Sequence, residues 1–214
     1  MSLLLYLSAD TFKDWLRLQK MSEHWPVTLR SEDLVLRPLR MRDRKRWIRV
    51  RAENKDWLNS WEATLPQVPG EDNSQKLPSF SEMVSWHRRE GRQGRSYSLA
   101  IWHENGQGSN LIGQITMGGV MYGAMRGAHI GYWIDKAYAN RGYTTQAVLA
   151  ISNFGFESLK LHRLEINIRP ENEPSIRVAQ KAGYLFEGLR PRYLHIDGNW
   201  RDHHCYVKEN SRVI

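Results

Sequence analysis

The sequence predicts an α+β fold, on three observations. Between residues 97 and 134, three short runs of strand composition follow one another with turn signals between them, the pattern of an antiparallel meander. The third run leads through a glycine-bearing turn, Arg141-Gly142-Tyr143-Thr144-Thr145, into a helical pattern that continues to about Leu159. Farther on, strand-like runs at 184–193 and 199–207 meet around Asp197-Gly198. That dipeptide is a hairpin signal, because it supplies the positive φ angles of a two-residue turn.

Residues 8–20 fit a short amphipathic helix, with Phe12, Trp15 and Leu16 on one face, and read as an extension ahead of the main domain. Residues 27–39 read as strand material kinked at Asp33. Asp43 can then cap a helix carrying Trp47, Ile48 and Val50, on which Arg42, Arg44, Arg46, Arg49 and Arg51 read as a solvated face. Periodicity fails over 65–78, broken by Pro66, Pro69, Gly70 and Pro78. Ser79 or Ser81 can cap a second helix with Met83, Val84 and Trp86, ending near Gly91.

The meander strands are expected at 97–102, 111–119 and 127–134, with Gly118-Gly119 marking a bulge or another turn. In the helix that starts at Arg141 or Gly142, Ala147, Val148, Ile151, Phe154 and Leu159 share one face, which should pack on the sheet. Leu164, Ile166 and Ile168 alternate in a buried strand that Pro170 ends, and a last helix over 175–182 closes at Gly183.

Composition narrows the function. The 214 residues suit one domain, or one domain with a terminal extension, and 41% hydrophobic residues are ample for a core. No apolar run reaches the roughly 18 residues of a membrane-spanning helix. The apolar start, residues 1–7, lacks the basic segment and small-residue cleavage site of a signal peptide. One cysteine, Cys205, excludes an intrachain disulfide framework and fits a cytoplasmic protein. The net charge of +8 comes largely from residues 37–51 and 88–95. It lacks the aromatic interleaving of a nucleic-acid surface, so specific nucleic-acid reading is not expected. His195, His203, His204 and Cys205 suggest metal ligands, but the adjacent His203, His204 and Cys205 point to alternating faces of a strand and do not all converge.

The chemistry is carried by the strand–turn–helix at 128–147. A helix start leaves N–H groups unpaired and adds the positive end of the helix dipole, so an anion such as a phosphate fits there. Downstream come Asn172-Glu-Pro-Ser175, then Lys181-Ala-Gly183-Tyr184, then Glu187-Gly188, and Asp197-Gly198 through Arg201-Asp202-His203. In this order and spacing the chain resembles the GNAT acyltransferases, in particular the RimJ/RimL-like branch of ribosomal-protein N-terminal acetyltransferases, over about residues 34–207.

That resemblance implies a mixed, mostly antiparallel sheet of six or seven strands flanked by helices on both faces, over residues 26–210, with 1–25 as an N-terminal extension. It implies acetyl-CoA as cosubstrate, an amine acceptor (a protein N-terminus or a small molecule) and direct attack in a ternary complex. A homodimer is compatible with it, and nothing in the sequence fixes one.

The resemblance also implies the site residues. The pyrophosphate would lie on the main chain of Arg141, Gly142, Tyr143, Thr144 and Thr145. The family's loop begins with Gln or Arg where this chain has Ala139, and ends with Gly or Ala where it has Thr144. The pantetheine arm would pair with the main chain of Trp133 and Ile134, Asn172 would bond the arm, and Ser175 would lie near the thiol. Read alone, Asn172 and Ser175 serve equally as helix caps.

The tyrosine that protonates the leaving thiolate in many relatives is replaced by Ala179, leaving Ser175 or a water for that task. A glutamate base found in some relatives is replaced by Asn167. Glu165, two residues earlier on the same strand face, is either the substitute base or a salt-bridged strand carboxylate. Two rivals to protein N-terminal acetylation stand at this point: an acetyltransferase for a small amine, and a non-catalytic assembly protein that retains the fold.

Overall fold

The computed structural model describes residues 24–70, 77–106 and 108–213; the helix expected at 8–20 lies outside the described residues. One sheet of eight strands runs in the order β1-β2-β3-β4-β5-β6-β8-β7. Its members are β1 (Leu29–Ser31), β2 (Leu34–Arg37), β3 (Tyr97–Asn105), β4 (Gly108–Met121), β5 (Gly127–Ile134), β6 (Arg163–Ile168), β7 (Leu185–Ile196) and β8 (Asn199–Glu209). Every pairing is antiparallel except β5 with β6.

The sheet has eight strands, where six or seven are expected, because residues 27–39 fold back on themselves. Glu32 adopts φ 48, which turns the chain tightly enough for Leu29 to pair with Leu36. The expected bulge at Gly118-Gly119 is present as a register shift between Gly118 and Met121. Asp197 and Gly198, at φ 49 and 73, close the β7–β8 hairpin.

Period-two alternation gives the sheet two buried faces. On one side Leu99, Ile101, Ile115, Ile130, Leu164 and Ile166 form the main core beneath α4 (Tyr143–Asn153, continued by a π turn, Phe154–Ser158) and α5 (Glu173–Lys181). On the other, Val35, Ala100, Trp102 and Leu111 form a smaller core with Phe80 and Val84. It is roofed by α1 (Arg44–Glu53) and α3 (Phe80–Arg92), with the short α2 (Lys55–Asn59) beside them. Each fully buried Leu or Ile contributes about 1.5–3 kcal/mol of transfer free energy. Ser79 starts α3 with a reciprocal cap: its hydroxyl accepts from the Glu82 N–H, and the Glu82 carboxylate accepts from the Ser79 N–H.

Asp43 departs from its expected role. It makes no side-chain bond to the first turn of α1. Its buried carboxylate instead accepts from Arg37 Nη1 and Nη2 at 2.8 and 3.0 Å and from the Arg40 N–H at 2.8 Å. Trp25 packs on the main core, and Arg212 pairs with Glu157. Among the described residues no helix is long and apolar enough to cross a membrane.

Candidate active site

The sheet splits in its middle. Strands β5 and β6 pair only at Gly127, Ala128 and His129 with Arg163, Leu164 and Glu165, and then diverge. The gap opens into a cavity of about 670 Å³, within the range of small-molecule and cofactor sites.

Alternation along β5 divides this cavity between the two faces. Tyr132 and Ile134 point to the α4–α5 side and pack on the main core. Gly131 and Trp133 alternate to the α1 side, where the Arg51 guanidinium lies 5.2 Å from the Trp133 ring centroid. The α4–α5 lobe is lined by the loop from Tyr138 to Thr145 and by Asn172, Ser175, Val178 and Lys181. The α1 lobe is lined by Arg51, Trp57, Trp61, Glu62, Gln114 and Thr116.

The loop does what its sequence predicts. Gly142 is the N-cap of α4 at φ 83, a left-handed conformation that costs other L-residues about 1–2 kcal/mol. The first bond of the helix is Gln146 N–H to Gly142 C=O at 3.0 Å. The N–H groups of Tyr143, Thr144 and Thr145 therefore donate to nothing among the described residues, and they line the cavity. Thr144 and Thr145 are half-buried. Neither makes a side-chain cap, which leaves both hydroxyls available.

Cations border the same lobe. Arg141 lies over the Tyr138 ring, Arg177 pairs loosely with Glu173 on the exposed side, and Lys181 has no carboxylate partner among the described residues. Unpaired N–H groups, the helix dipole and this charge together suit a polyanion.

The main chain of β5 corrects one expectation. The Trp133 carbonyl faces Gly113 on β4, and the following Asp135 N–H bonds the Ile112 carbonyl on β4 at 2.7 Å. Odd-numbered residues here thus spend their polar groups inside the sheet, and even-numbered ones turn theirs to the gap. Ile134 keeps its assignment to the open edge, but Trp133 does not, and Tyr132 takes its place. The Ile134 carbonyl accepts from Trp57 Nε1 at 3.2 Å. Asn54, buried at the start of the helix that carries Trp57, ties that helix to the end of β5: its Nδ2 donates to Asp135 Oδ1 at 3.0 Å and its Oδ1 accepts from the Lys136 N–H at 2.8 Å.

On α5, Asn172 is the N-cap, its Oδ1 accepting from the Ser175 N–H at 3.2 Å. The Nδ2 hydrogens remain free to donate. The Ser175 hydroxyl makes no bond to the described chain, and the Ser175 carbonyl accepts from the Tyr132 hydroxyl at 3.3 Å. Burial pushes the Tyr132 phenol well above its ordinary value of 10.0. Ala179 is fully buried in the main core and does not line the cavity, so no replacement acid arises there.

Glu165 is not brought to this site. Burial alone would raise its pKa, but hydrogen bonds from Arg190 and Arg163 outweigh that and hold it below the usual carboxylate range. The ion pairs measure 2.8 and 2.9 Å. Asn167 is likewise occupied, its Oδ1 accepting from Arg190 at 3.1 Å. Glu187 and Cys205 complete this group, and Arg163 neutralises Glu187 as well.

Sequence reasoning missed the whole α1 lobe. The arginines of α1 read as a solvated face, yet Arg51 is only 27% exposed in its side chain, pairs with Glu62 and covers Trp133. The Trp-rich segment at 57–61 was the available signal.

The family model for the acetyltransferase (GNAT) domain matches residues 33–185. The chain belongs to the GNAT acetyltransferase family. As a GNAT protein it is an acetyl-CoA-dependent N-acetyltransferase. It is 28% identical over 175 residues to the probable N-acetyltransferase YjcK of Bacillus subtilis, covering 82% of this chain and 93% of that one. It is also 28% identical over 183 residues to the [ribosomal protein uS5]-alanine N-acetyltransferase of Escherichia coli, covering 83% and 88%. Among solved structures, Mycobacterium smegmatis RimJ in complex with CoA-disulfide superposes with a TM-score of 0.74 at 35% identity, covering 88% of this chain and 90% of that one.

Proposed function

We propose that this GNAT domain, spanning residues 26–210, acetylates the N-terminal α-amine of a cytoplasmic protein, with a ribosomal protein the leading class. The observation that carries this reading is the state of the strand carboxylate. An amine attacks a thioester only as the free base. A lysine, at about 10.4, needs a strong base near neutral pH, whereas an α-amine, at about 7.7–8.0, is already partly neutral. Glu165 is held ionised by Arg163 and Arg190, outside the cavity, and is no such base. The one carboxylate that lines the cavity, Glu62, is ion-paired with Arg51, and a site without an unpaired base suits an α-amine, for which positioning supplies most of the rate. The identities of relatives named for ribosomal proteins support the same class. A polyamine fits poorly in a cavity lined by Arg51, Arg141, Arg177 and Lys181.

In this reading the N–H groups of Tyr143, Thr144 and Thr145, with Arg141 and Gly142, hold the pyrophosphate. The open edge of Tyr132 and Ile134 and the Asn172 amide hold the arm. The cosubstrate supplies an acyl group activated as a thioester. The acceptor enters from the α1 lobe and meets the acyl carbon in the gap of the sheet. N–H groups on the open edge of β5 are placed to stabilise the oxyanion. The departing thiolate is a good leaving group, ordinary cysteine thiols having a pKa of about 8.5. Hydrogen bonds steady it until it takes a proton from solvent, so the alanine at 179 is no obstacle. Ser175 Oγ is the donor, and the Tyr132 hydroxyl, bonded to the Ser175 carbonyl, fixes the helix start that carries it.

Hydrogen bonds to a charged group are worth about 1.5–3 kcal/mol. Ser175→Ala should therefore lower kcat about 10- to 100-fold without changing the calorimetric Kd for acetyl-CoA. An unchanged kcat would remove this hydroxyl from the reaction. The acceptor class is tested by thiol release with peptides beginning in Ala or Ser against polyamines and amino acids. Turnover of the small amines with none of the peptides would replace this reading by small-molecule acetylation.

A further inference from the structure

We infer that Arg51 and Glu62 together read the first residue of the acceptor, the carboxylate taking its α-ammonium and the guanidinium its carbonyl oxygen. This rests on the N-terminal acceptor proposed above. Glu62 is the one acidic side chain among the described residues that line the cavity. It belongs to the α1 lobe, on the far side of the split sheet from the phosphate loop, where the acceptor must enter.

The pair is built rather than incidental. Arg51 Nη2 donates to Glu62 Oε1, and the guanidinium is sandwiched between Trp133 and Trp47 at 5.2 and 5.8 Å. Glu62 sits on a segment fixed to the β7–β8 hairpin. Its carbonyl accepts from the Asp197 N–H at 3.1 Å, the Thr64 N–H donates to the His195 carbonyl at 2.9 Å, and Thr64 Oγ1 accepts from the Gly198 N–H at 3.0 Å. Two residues eleven positions apart are thus held side by side by different parts of the fold.

The chemistry follows from the donor inventory. A guanidinium carries five N–H donors, and one bond to Glu62 leaves the others for a second acceptor. The Glu62 carboxylate has lone pairs to spare. A carboxylate beside a guanidinium complements an ammonium with a carbonyl two bonds away, which is the start of a peptide chain. A lysine side chain or an alkylamine offers the ammonium without the carbonyl. Selectivity of this kind is strong because a buried donor left unpaired by the wrong ligand costs affinity. The pair gathers and orients the amine. The proton lost before attack goes to solvent, and neither residue is asked to hold it.

The test compares an alanine-initiated peptide with isopropylamine, which keeps the branched α-carbon and lacks the carbonyl, in the wild type, Glu62→Gln and Arg51→Met; the higher pKa of isopropylamine is common to all three proteins and drops out of the comparison between them. Melting temperature and acetyl-CoA binding serve as controls for folding. We expect Glu62→Gln to raise KM for the peptide at least tenfold while kcat falls less than threefold. Arg51→Met should narrow the preference for peptide over isopropylamine about tenfold, which a general structural defect would not do. If the wild type turns over the peptide but both variants keep its KM and its preference, this inference is wrong and the acceptor reading survives. If the wild type turns over isopropylamine and not the peptide, both fall together.

Discussion

Gly142→Asp should weaken acetyl-CoA binding on the order of 10²- to 10³-fold, whereas Gly142→Asn should weaken it about tenfold. Both side chains tolerate the left-handed backbone that Gly142 adopts at φ 83, and the Cβ of either meets open space on the protein side, so the fold should hold in both. They differ in charge. Aspartate places a carboxylate beside the N–H groups of Tyr143, Thr144 and Thr145, where the pyrophosphate has to sit. Two unit charges 4 Å apart repel by about 4 kcal/mol at an effective dielectric of 20. Solvent at this exposed loop reduces that, and a loss on the order of 10²- to 10³-fold in Kd remains. Calorimetric titration with acetyl-CoA measures it. Equal affinities for the two variants would show that charge at the helix start is irrelevant, and the loop would lose its assignment.

Asp43→Ala should be the most damaging single change away from the site. It removes the partner of Arg37, whose guanidinium is 16% exposed in its side chain and stacks at 4.1 Å from the Trp102 ring centroid. Breaking such a buried pair costs about 3–5 kcal/mol, or roughly 10 °C in melting temperature for a domain of this size.

The wild type should show the same contribution in its pH dependence. Burial alone would raise the Asp43 pKa, but the bonds from Arg37 and the Arg40 N–H overcome it, leaving the folded value below the ordinary 3.8. A depressed carboxylate pKa means that the folded state binds the proton less readily than the unfolded one. The stabilisation is complete above the ordinary aspartate range and is lost as the pH falls through 3.8 towards the folded value. Denaturant melts between pH 7 and 3 should fall less steeply for Asp43→Ala than for the wild type over the acid end. Parallel curves would assign the acid sensitivity to other carboxylates.

How much of this was legible beforehand depended on whether the signal was local. The α4 loop could be read because a glycine that needs positive φ, the strand before it and the apolar stripe after it are contiguous. Asn172 and Ser175 could be placed for the same reason, three residues apart at a helix start. The kink at Asp33 is legible in the sequence, but its closure into a hairpin is not, because Leu34 and Leu36 continue the apolar character of Val27 and Leu29 and the turn at Glu32 and Asp33 contains no glycine.

The α1 lobe was illegible for another reason. Its walls come from α1, α2 and the segment after them, and they meet Trp133 only through tertiary packing. In sequence, Arg51 is one of five arginines on a helix; in the fold it alone of them is wedged between Trp47 and Trp133. Glu165 shows the converse. Its strand face could be read from alternation, but Arg190, which occupies it, comes from the far hairpin. Trp133 was assigned by motif position, and the ladder geometry that turns its carbonyl to β4 is visible only once the register is known.

The short parallel pairing of β5 with β6 has a thermodynamic consequence. Three residue pairs are all that join the two halves of the sheet along this seam, so the protein alone contains a sheet with an interrupted ladder. In the function proposed above, an extended arm bonded to the open edge of β5 would act as a partial ninth strand, and the cosubstrate would become a structural member of the fold it enters. Ligand at about 100 times its Kd should then add about 2.7 kcal/mol to the resistance to unfolding. Amide exchange should slow most at Tyr132 and Ile134, the positions where the interrupted ladder is completed.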